Sequence, residues 1–427
     1  MSPQSIPLSF LFSTPIIDRL MSSPKLPLDI LTLVIDALAA SCSDDESLSE
    51  LMQSAALTCR AFVPLSQRHI FASVTIDNVN SRSKNPISPL EFANFFTEHP
   101  YLSEYIRELS INLPATTSQS ESAGDIVENL FKAFLNIRSL EFLSINLGRR
   151  FSVTNWSNSP FSSAIQHLLR VPSLSRLHLS HLIEVPPDAI PTNLKHLLLE
   201  SVDWKSIAET SSFDMLPPDL EVLTSNFSPS TTALLSLIRP DNRPVLLLKN
   251  LRRLEITGLS EEIFEICRMV ASTSKVLTSI YLSVCTQAAF TGLYDAISPS
   301  LGTLRHLVLA TADDYQSLDP YHCASEELEK IADSKIQCMT FQVSTGCDLE
   351  CTTGDGWDLI DEVLTSEVNW PCLTEVRVEV KIWRFQRSKS AFDETMENLS
   401  KLYFKRLRAS KCINFVYECH DVVVPDI

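Results

Sequence analysis

An apolar residue followed by two more, three and five positions later, recurs along this chain from Tyr105 almost to its end. The copies are Ile106/Leu109/Ile111, Leu140/Leu143/Ile145, Leu174/Leu177/Leu179, Leu194/Leu197/Leu199, Leu251/Leu254/Ile256, Leu277/Ile280/Leu282, Leu304/Leu307/Leu309, Ile336/Met339/Phe341 and Leu373/Val376/Val378. Leu220/Leu223 is a reduced copy and Cys412/Phe415/Tyr417 a final one. Successive first positions lie 34, 34, 20, 26, 31, 26, 27, 32, 37 and 39 residues apart. The second and third residues of each copy fall on one face of an extended strand, and no single strand can bury that face alone. Neighbouring copies must therefore stack. Runs with helical spacing lie between them, at Ile126 to Leu135, Phe161 to Leu169, Ile263 to Val270, Trp357 to Val368 and Phe392 to Leu407. They would cover one side of a parallel strand array, so the expected fold class is α/β.

The segment ahead of the repeats is organised differently. Ile30, Leu31, Val34, Ile35 and Leu38 recur at helical spacing within Leu28 to Ala40, just after Leu26 and Pro27. Pro27 suits the first turn of a helix, where its missing N–H is not needed. A short acidic linker follows, then a second helical pattern from Leu48 to Cys59. Pro64 limits a third helix, and Ile70 to Ile76 alternates like a strand. About fifty residues cannot internally bury all the apolar surface of two such helices, so some of it must meet a partner or the neighbouring domain.

The stretch from Leu26-Pro27 through Ala56-Leu57-Thr58-Cys59-Arg60 resembles the F-box motif, with Phe62 where that family often has Trp. The resemblance implies a three-helix module that packs on a Skp-family adaptor, which in turn docks on a cullin scaffold. Leu26, Pro27, Ile30, Leu31, Val34, Ile35, Leu38, Leu57 and Cys59 would form the adaptor face. The recurring copies resemble an irregular leucine-rich-repeat solenoid, with Gly148, Leu182, Val202 or Leu259 where that family often places Asn. The expected organisation is thus a flexible arm at 1–21, an F-box-like domain at 22–76, a connecting segment at 77–104 and a leucine-rich-repeat-like solenoid at 105–427.

Composition narrows the chemistry. The formal charge of −17 repels nucleic acid and anionic membranes, and no stretch reaches the 18 apolar residues of a spanning helix. Only 8 Gly stand against 24 Pro, and neither the Gly-rich phosphate-binding signatures nor the common catalytic ones occur. Eleven dispersed Cys fit buried thiols in a reducing compartment, cytoplasmic or nuclear. Cys338, Cys347 and Cys351, with His322 and Cys323 nearby, lack the paired spacing of a zinc site. No catalytic, cofactor or metal residue is therefore expected. Between Arg377 and Lys411, ten Lys or Arg face four Asp or Glu. Within that stretch Lys401, Lys405, Arg406 and Arg408 form a basic docking patch for an acidic segment, or else simply a solvated helix end whose charges match its dipole.

By resemblance, then, the chain is expected to be a non-enzymatic substrate receptor of a cullin-type ubiquitin ligase. It would bind a Skp-family adaptor through the helical module and a protein target, of unknown identity, through the repeats. A repeat scaffold unconnected to ubiquitination, with the helices as its cap, is the alternative. An enzyme on a doubly wound α/β fold is a third reading, which lacks the Gly-rich first turn such folds use.

Overall fold

The computed structural model describes residues 27–42, 45–77, 87–112, 123–138, 140, 142–146, 154–156, 162–205, 216–227, 230–284, 290–313, 321, 323–346, 356–366, 370–384 and 398–423. The arm 1–21, Leu26, Cys347, Cys351, His322, Phe392 and Met396 lie outside them. Contacts divide the chain into two compact units, Met1–Ser175 and Arg176–Ile427.

The first unit begins with three helices, α1 (Leu28–Ala40), α2 (Asp45–Thr58) and α3 (Phe62–Ile70), each in contact with the other two. Leu31 and Ile35 of α1 and Met52 of α2 are buried. Pro27 caps α1 without a side-chain hydrogen bond, and Pro64 sits in the first turn of α3. Strand β1 (Ser73–Asp77) pairs in parallel with β2 (Glu108–Asn112), which pairs with β3 (Phe142–Asn146). Segment 77–104, expected as a connection, holds a helix, α4 (Pro89–Glu98), and a 3-10 turn at Pro100–Tyr105. A reciprocal cap explains the helix. The Glu91 amide donates to Ser88 Oγ at 3.2 Å, and the Ser88 amide donates to Glu91 Oε2 at 3.1 Å, with Pro89 preset in the first turn. Phe92 and Phe96 then bury against Phe71 and Phe134. Helices α5 (Ala123–Phe134) and α6 (Ser162–Leu169), with a two-residue strand β4 (Thr154–Asn155), complete the unit.

The second unit is a nine-stranded parallel sheet with helices between its strands. Its order follows the chain: β5 (Arg176–Ser180), β7 (His196–Glu200), β8 (Val222–Asn226), β9 (Arg253–Gly258), β10 (Ser279–Val284), β11 (His306–Asp313), β12 (Cys338–Gly346), β13 (Glu375–Arg384) and β14 (Asn414–Val423). The short β6 (Leu182–Ile183) lies just after β5. Connecting helices are α7 (Thr231–Ser236), α8 (Ser260–Thr273), α9 (Leu293–Ile297), α10 (Ala324–Ile331), α11 (Gly356–Leu364) and α12 (Lys405–Ala409). The 20-residue repeat is too short for a helix and carries only a 3-10 turn at Pro187–Ala189.

The register explains the repeat. Leu177, Leu197, Leu223, Leu254, Ile280, Leu307, Met339, Val376 and Phe415 stand side by side across the sheet, and two residues on Leu179, Leu199, Ser225, Ile256, Leu282, Leu309, Phe341, Val378 and Tyr417 do the same. These are the second and third residues of every copy. From β5 to β13 they are buried under the helices, while Phe415 and Tyr417 on the edge strand are half-buried. The reduced copy carries Ser225 where an aliphatic residue is expected. Its hydroxyl is satisfied by Thr231 at 2.8 Å, so the polar substitution leaves no unpaired buried group.

Hydroxyl side chains pin successive repeats to one another. Ser230 donates to the Val202 carbonyl, Ser274 to Leu251, Ser300 to Ala271 and Thr303 to Leu277. Such bonds contribute about 1 kcal/mol each. With so few glycines, the ends of β5, β7 and β8 turn on residues that carry side chains: His181, Ser201 and Phe227 hold φ of 55°, 52° and 47°. Each then donates its amide to the neighbouring strand's end, at Glu200, Asn226 and Thr257. The same left-handed turn thus recurs in three consecutive repeats.

Candidate partner-binding surfaces

The outer side of α1 is the first candidate. Ile30, Leu33, Val34 and Leu38 are 44%, 68%, 42% and 36% exposed, whereas Leu31 is 4% and Ile35 is 0% exposed. Spacings of three, four and eight residues from Ile30 put the exposed four on one arc of the helix, with Ala37 between them. Two expected contact residues are corrected here: Leu31 and Ile35 face the unit's own core and are closed to a partner. Leu33 belongs to the outward arc instead. Pro27 is exposed, Leu57 at the end of α2 is 79% exposed, and Cys59 is half-buried.

An ionic tie holds α1 to α3. Asp36 receives hydrogen bonds from Arg68 at 2.5 Å and from His69 at 2.8 Å. The His69 bond, aided by Arg68 and opposed by partial burial, holds the Asp36 carboxyl below its ordinary value of 3.8. Because the folded value is the lower one, this stabilisation is present above 3.8 and is lost as pH falls through the folded value.

The second candidate is the face of the nine-stranded sheet that no helix of its own repeats covers. The residue between the two core positions of each copy points there, giving a row His178, Leu198, Thr224, Glu255, Tyr281, Val308, Thr340, Arg377 and Val416. A trough of about 410 Å³ crosses this face from β9 to β13. Tyr281, Val308 and Thr340 floor it, with Gln342 beside them. Arg253 pairs with Glu255 at one end, and Glu255 also accepts from the Thr224 hydroxyl at 3.1 Å. At the other end Arg377 lies 3.1 Å from Glu418, 3.4 Å from Glu375 and 4.0 Å from Glu379, whose carboxylate accepts from Gln342 at 2.7 Å. Near β5, burial lowers the His178 pKa despite Glu200 at 3.6 Å. The His178 side chain is half-buried.

The basic patch has a different geometry from the one its sequence implied. The helix expected over Phe392 to Leu407 is interrupted at Tyr403–Phe404, so Lys401 precedes the break and Lys405, Arg406 and Arg408 follow it on α12. All four are exposed, with Lys401 bonded to Asn398 at 2.8 Å and Arg406 paired with Glu362 at 3.2 Å. Asp361 causes the new start. Its buried carboxylate accepts from the Arg406 and Leu407 amides at 2.9 and 2.8 Å, while burial pushes its pKa up. Asp361→Leu should cost about 2 kcal/mol in chemical denaturation, because two helix-start amides lose their acceptor.

The sheet order in the second unit shows no reversal, so a doubly wound switch-point crevice has no place among its strands. Among the described residues no group of three metal-binding side chains converges, and no helix is long and apolar enough to cross a membrane. The chain matches no known protein family and no curated protein sequence.

The sequence reading missed both Leu33 and the trough. Leu33 follows Ile30 by one helical step and was legible. The trough residues occupy the position between the two core residues of each copy, a strand-period signal that marks the face without revealing its chemistry.

Proposed function

We propose that the chain is the substrate-recognition subunit of a Skp-cullin-F-box type ubiquitin ligase. In this reading α1–α3 are the F-box-like module, and the outward arc of Ile30, Leu33, Val34 and Leu38 docks on the adaptor. The observation that carries it is that arc: four large apolar side chains left exposed on a module too small to bury them. The recurring strands form a leucine-rich-repeat-like solenoid whose open face holds the target. Strand β1, directly after α3, pairs with β2 within the first unit. The chain contributes no catalytic group. It holds a target beside a ubiquitin-charged enzyme and acts by raising effective concentration. That activity belongs to the cytoplasm or nucleus.

The test is a binding titration of the intact purified chain against a Skp-family adaptor, with a dissociation constant of about 1 μM or tighter expected. A folded chain that fails to bind leaves the helices as a cap on a repeat scaffold outside the ubiquitin pathway.

A further inference from the structure

The distribution of charge on the open sheet face gives its occupant a definite chemistry. Over the three outward rows nearest the trough, Glu200, Glu255, Glu375, Glu379 and Glu418 face Arg176, Arg253 and Arg377, five carboxylates against three guanidinium groups. The excess lies at one place. Glu375, Glu379 and Glu418 converge on Arg377, while Glu255 and Arg253 form a matched pair at the opposite wall. Lys381, one row further along β13, offsets a single surplus charge.

Hydrogen-bonding capacity says the same thing in different terms. Three carboxylates offer about twelve acceptor positions, and one guanidinium supplies five donors. Gln342 fills one more of those positions, and His420 approaches Glu418 at 3.4 Å. A second guanidinium or an ammonium group would complete the cluster, while a carboxylate brought there would meet three others. The floor beside it is uncharged, and Tyr281 and Val308 suit the aliphatic stem of Lys or Arg or an adjacent apolar side chain. Four strand steps of about 4.8 Å make the crossing about 19 Å, the reach of about six extended residues.

We propose that this trough binds a short extended segment of a partner protein carrying Lys or Arg, with the cationic side chain seated by Glu379 and Glu418 and its neighbours on Tyr281, Val308 and Thr340. The proposal rests on the reading of the second unit as the target-holding part. It departs from the expectation that Lys401, Lys405, Arg406 and Arg408 receive an acidic target. The chain's overall charge of −17 favours the same cationic partner at long range.

Three fluorescein-labelled synthetic peptide pools test it by anisotropy with the full chain. Each is about ten residues long, degenerate in apolar and small residues, with fixed positions carrying Lys/Arg, Asp/Glu or Asn/Gln. The basic pool should bind best, more weakly as salt rises, and Glu379→Gln with Glu418→Gln should weaken it about tenfold without changing the neutral pool. An unchanged thermal midpoint establishes that the double variant is folded; if it is not, Glu418→Gln alone carries the comparison. Preference for the acidic pool, or basic binding untouched by the folded variant, overturns the proposal. Adaptor binding is measured on the same samples. A chain that takes the basic pool but no adaptor loses the ligase reading alone, and one that binds adaptor but prefers the acidic pool loses this proposal alone.

Discussion

The I30D/V34D chain should fold as the parent does and lose its affinity for a Skp-family adaptor by a factor of 100 or more, by the order-of-magnitude sum of two interface defects of about 1.5–2 kcal/mol each. Both side chains are already more than two-fifths exposed in the free chain, so a carboxylate at either position stays in water and costs the fold little. On docking, the same carboxylates would be stripped of water against an apolar surface with no partner. Two controls make the result specific to the outward arc. Leu33→Asp should act in the same direction, because Leu33 is the most exposed of the four. Leu31→Asp should instead unfold the helical module, since Leu31 is buried against its neighbours, and its loss of binding would come with loss of helical circular dichroism. Retained adaptor binding by folded I30D/V34D would remove α1 from the interface.

Why the sequence divided α1 wrongly is a matter of amphipathicity. Leu28, Ile30, Leu31, Leu33, Val34, Ile35 and Leu38 are apolar around most of the helix, so spacing alone identifies a helix without saying which arc meets α2 and α3. Tertiary contact decides, and it takes Leu31 and Ile35 inward. The strand array was far more legible, because the two core residues of each copy recur with strand period and stack position for position, down to Cys412/Phe415/Tyr417 at β14. Loop and helix details were not. Nothing between Leu399 and Leu407 is Gly or Pro, yet the helix breaks at Tyr403–Phe404. Phe404 turns inward to pack at 5.4 Å on Trp357 and 5.3 Å on Phe415, and Asp361 supplies a cap from 46 residues away from Leu407. Long-range partners of that kind leave no local signature. The trough was hidden in part for the same reason: Arg253–Glu255 and Arg377–Glu375 lie two residues apart on one strand, but Thr224 meets Glu255, Gln342 meets Glu379 and Arg377 meets Glu418 only through register, across 31, 37 and 41 residues of sequence.

Tyr321 offers the largest expected stability effect in the second unit. Its ring is fully buried, stacked at 5.5 Å on Phe290 and edge-on to Phe341 at 5.3 Å and Trp357 at 4.7 Å. Its hydroxyl lies 2.9 Å from the carbonyls of both Leu309 on β11 and Gln342 on β12, donating to either one at a time. Burial raises the phenol's pKa well above 10, so the hydroxyl remains a donor throughout the physiological range. Tyr321→Ala should cost about 4 kcal/mol, the sum of a large buried cavity and the lost hydrogen bond. Tyr321→Phe keeps the ring contacts and should cost about 1–2 kcal/mol. Chemical denaturation monitored by Trp fluorescence reads both, since Trp357 is in direct contact with the site. The ratio of the two losses is the informative quantity: near-equal losses would assign the stabilisation to the hydroxyl, whereas a small loss for Phe and a large one for Ala assigns it to the aromatic cluster that joins the β10–α9 and β11–α10 connections to β12 and α11. The second outcome is expected, because removing the ring deprives three aromatic neighbours of packing at once, while Tyr321→Phe removes a single hydrogen bond and leaves the ring contacts in place.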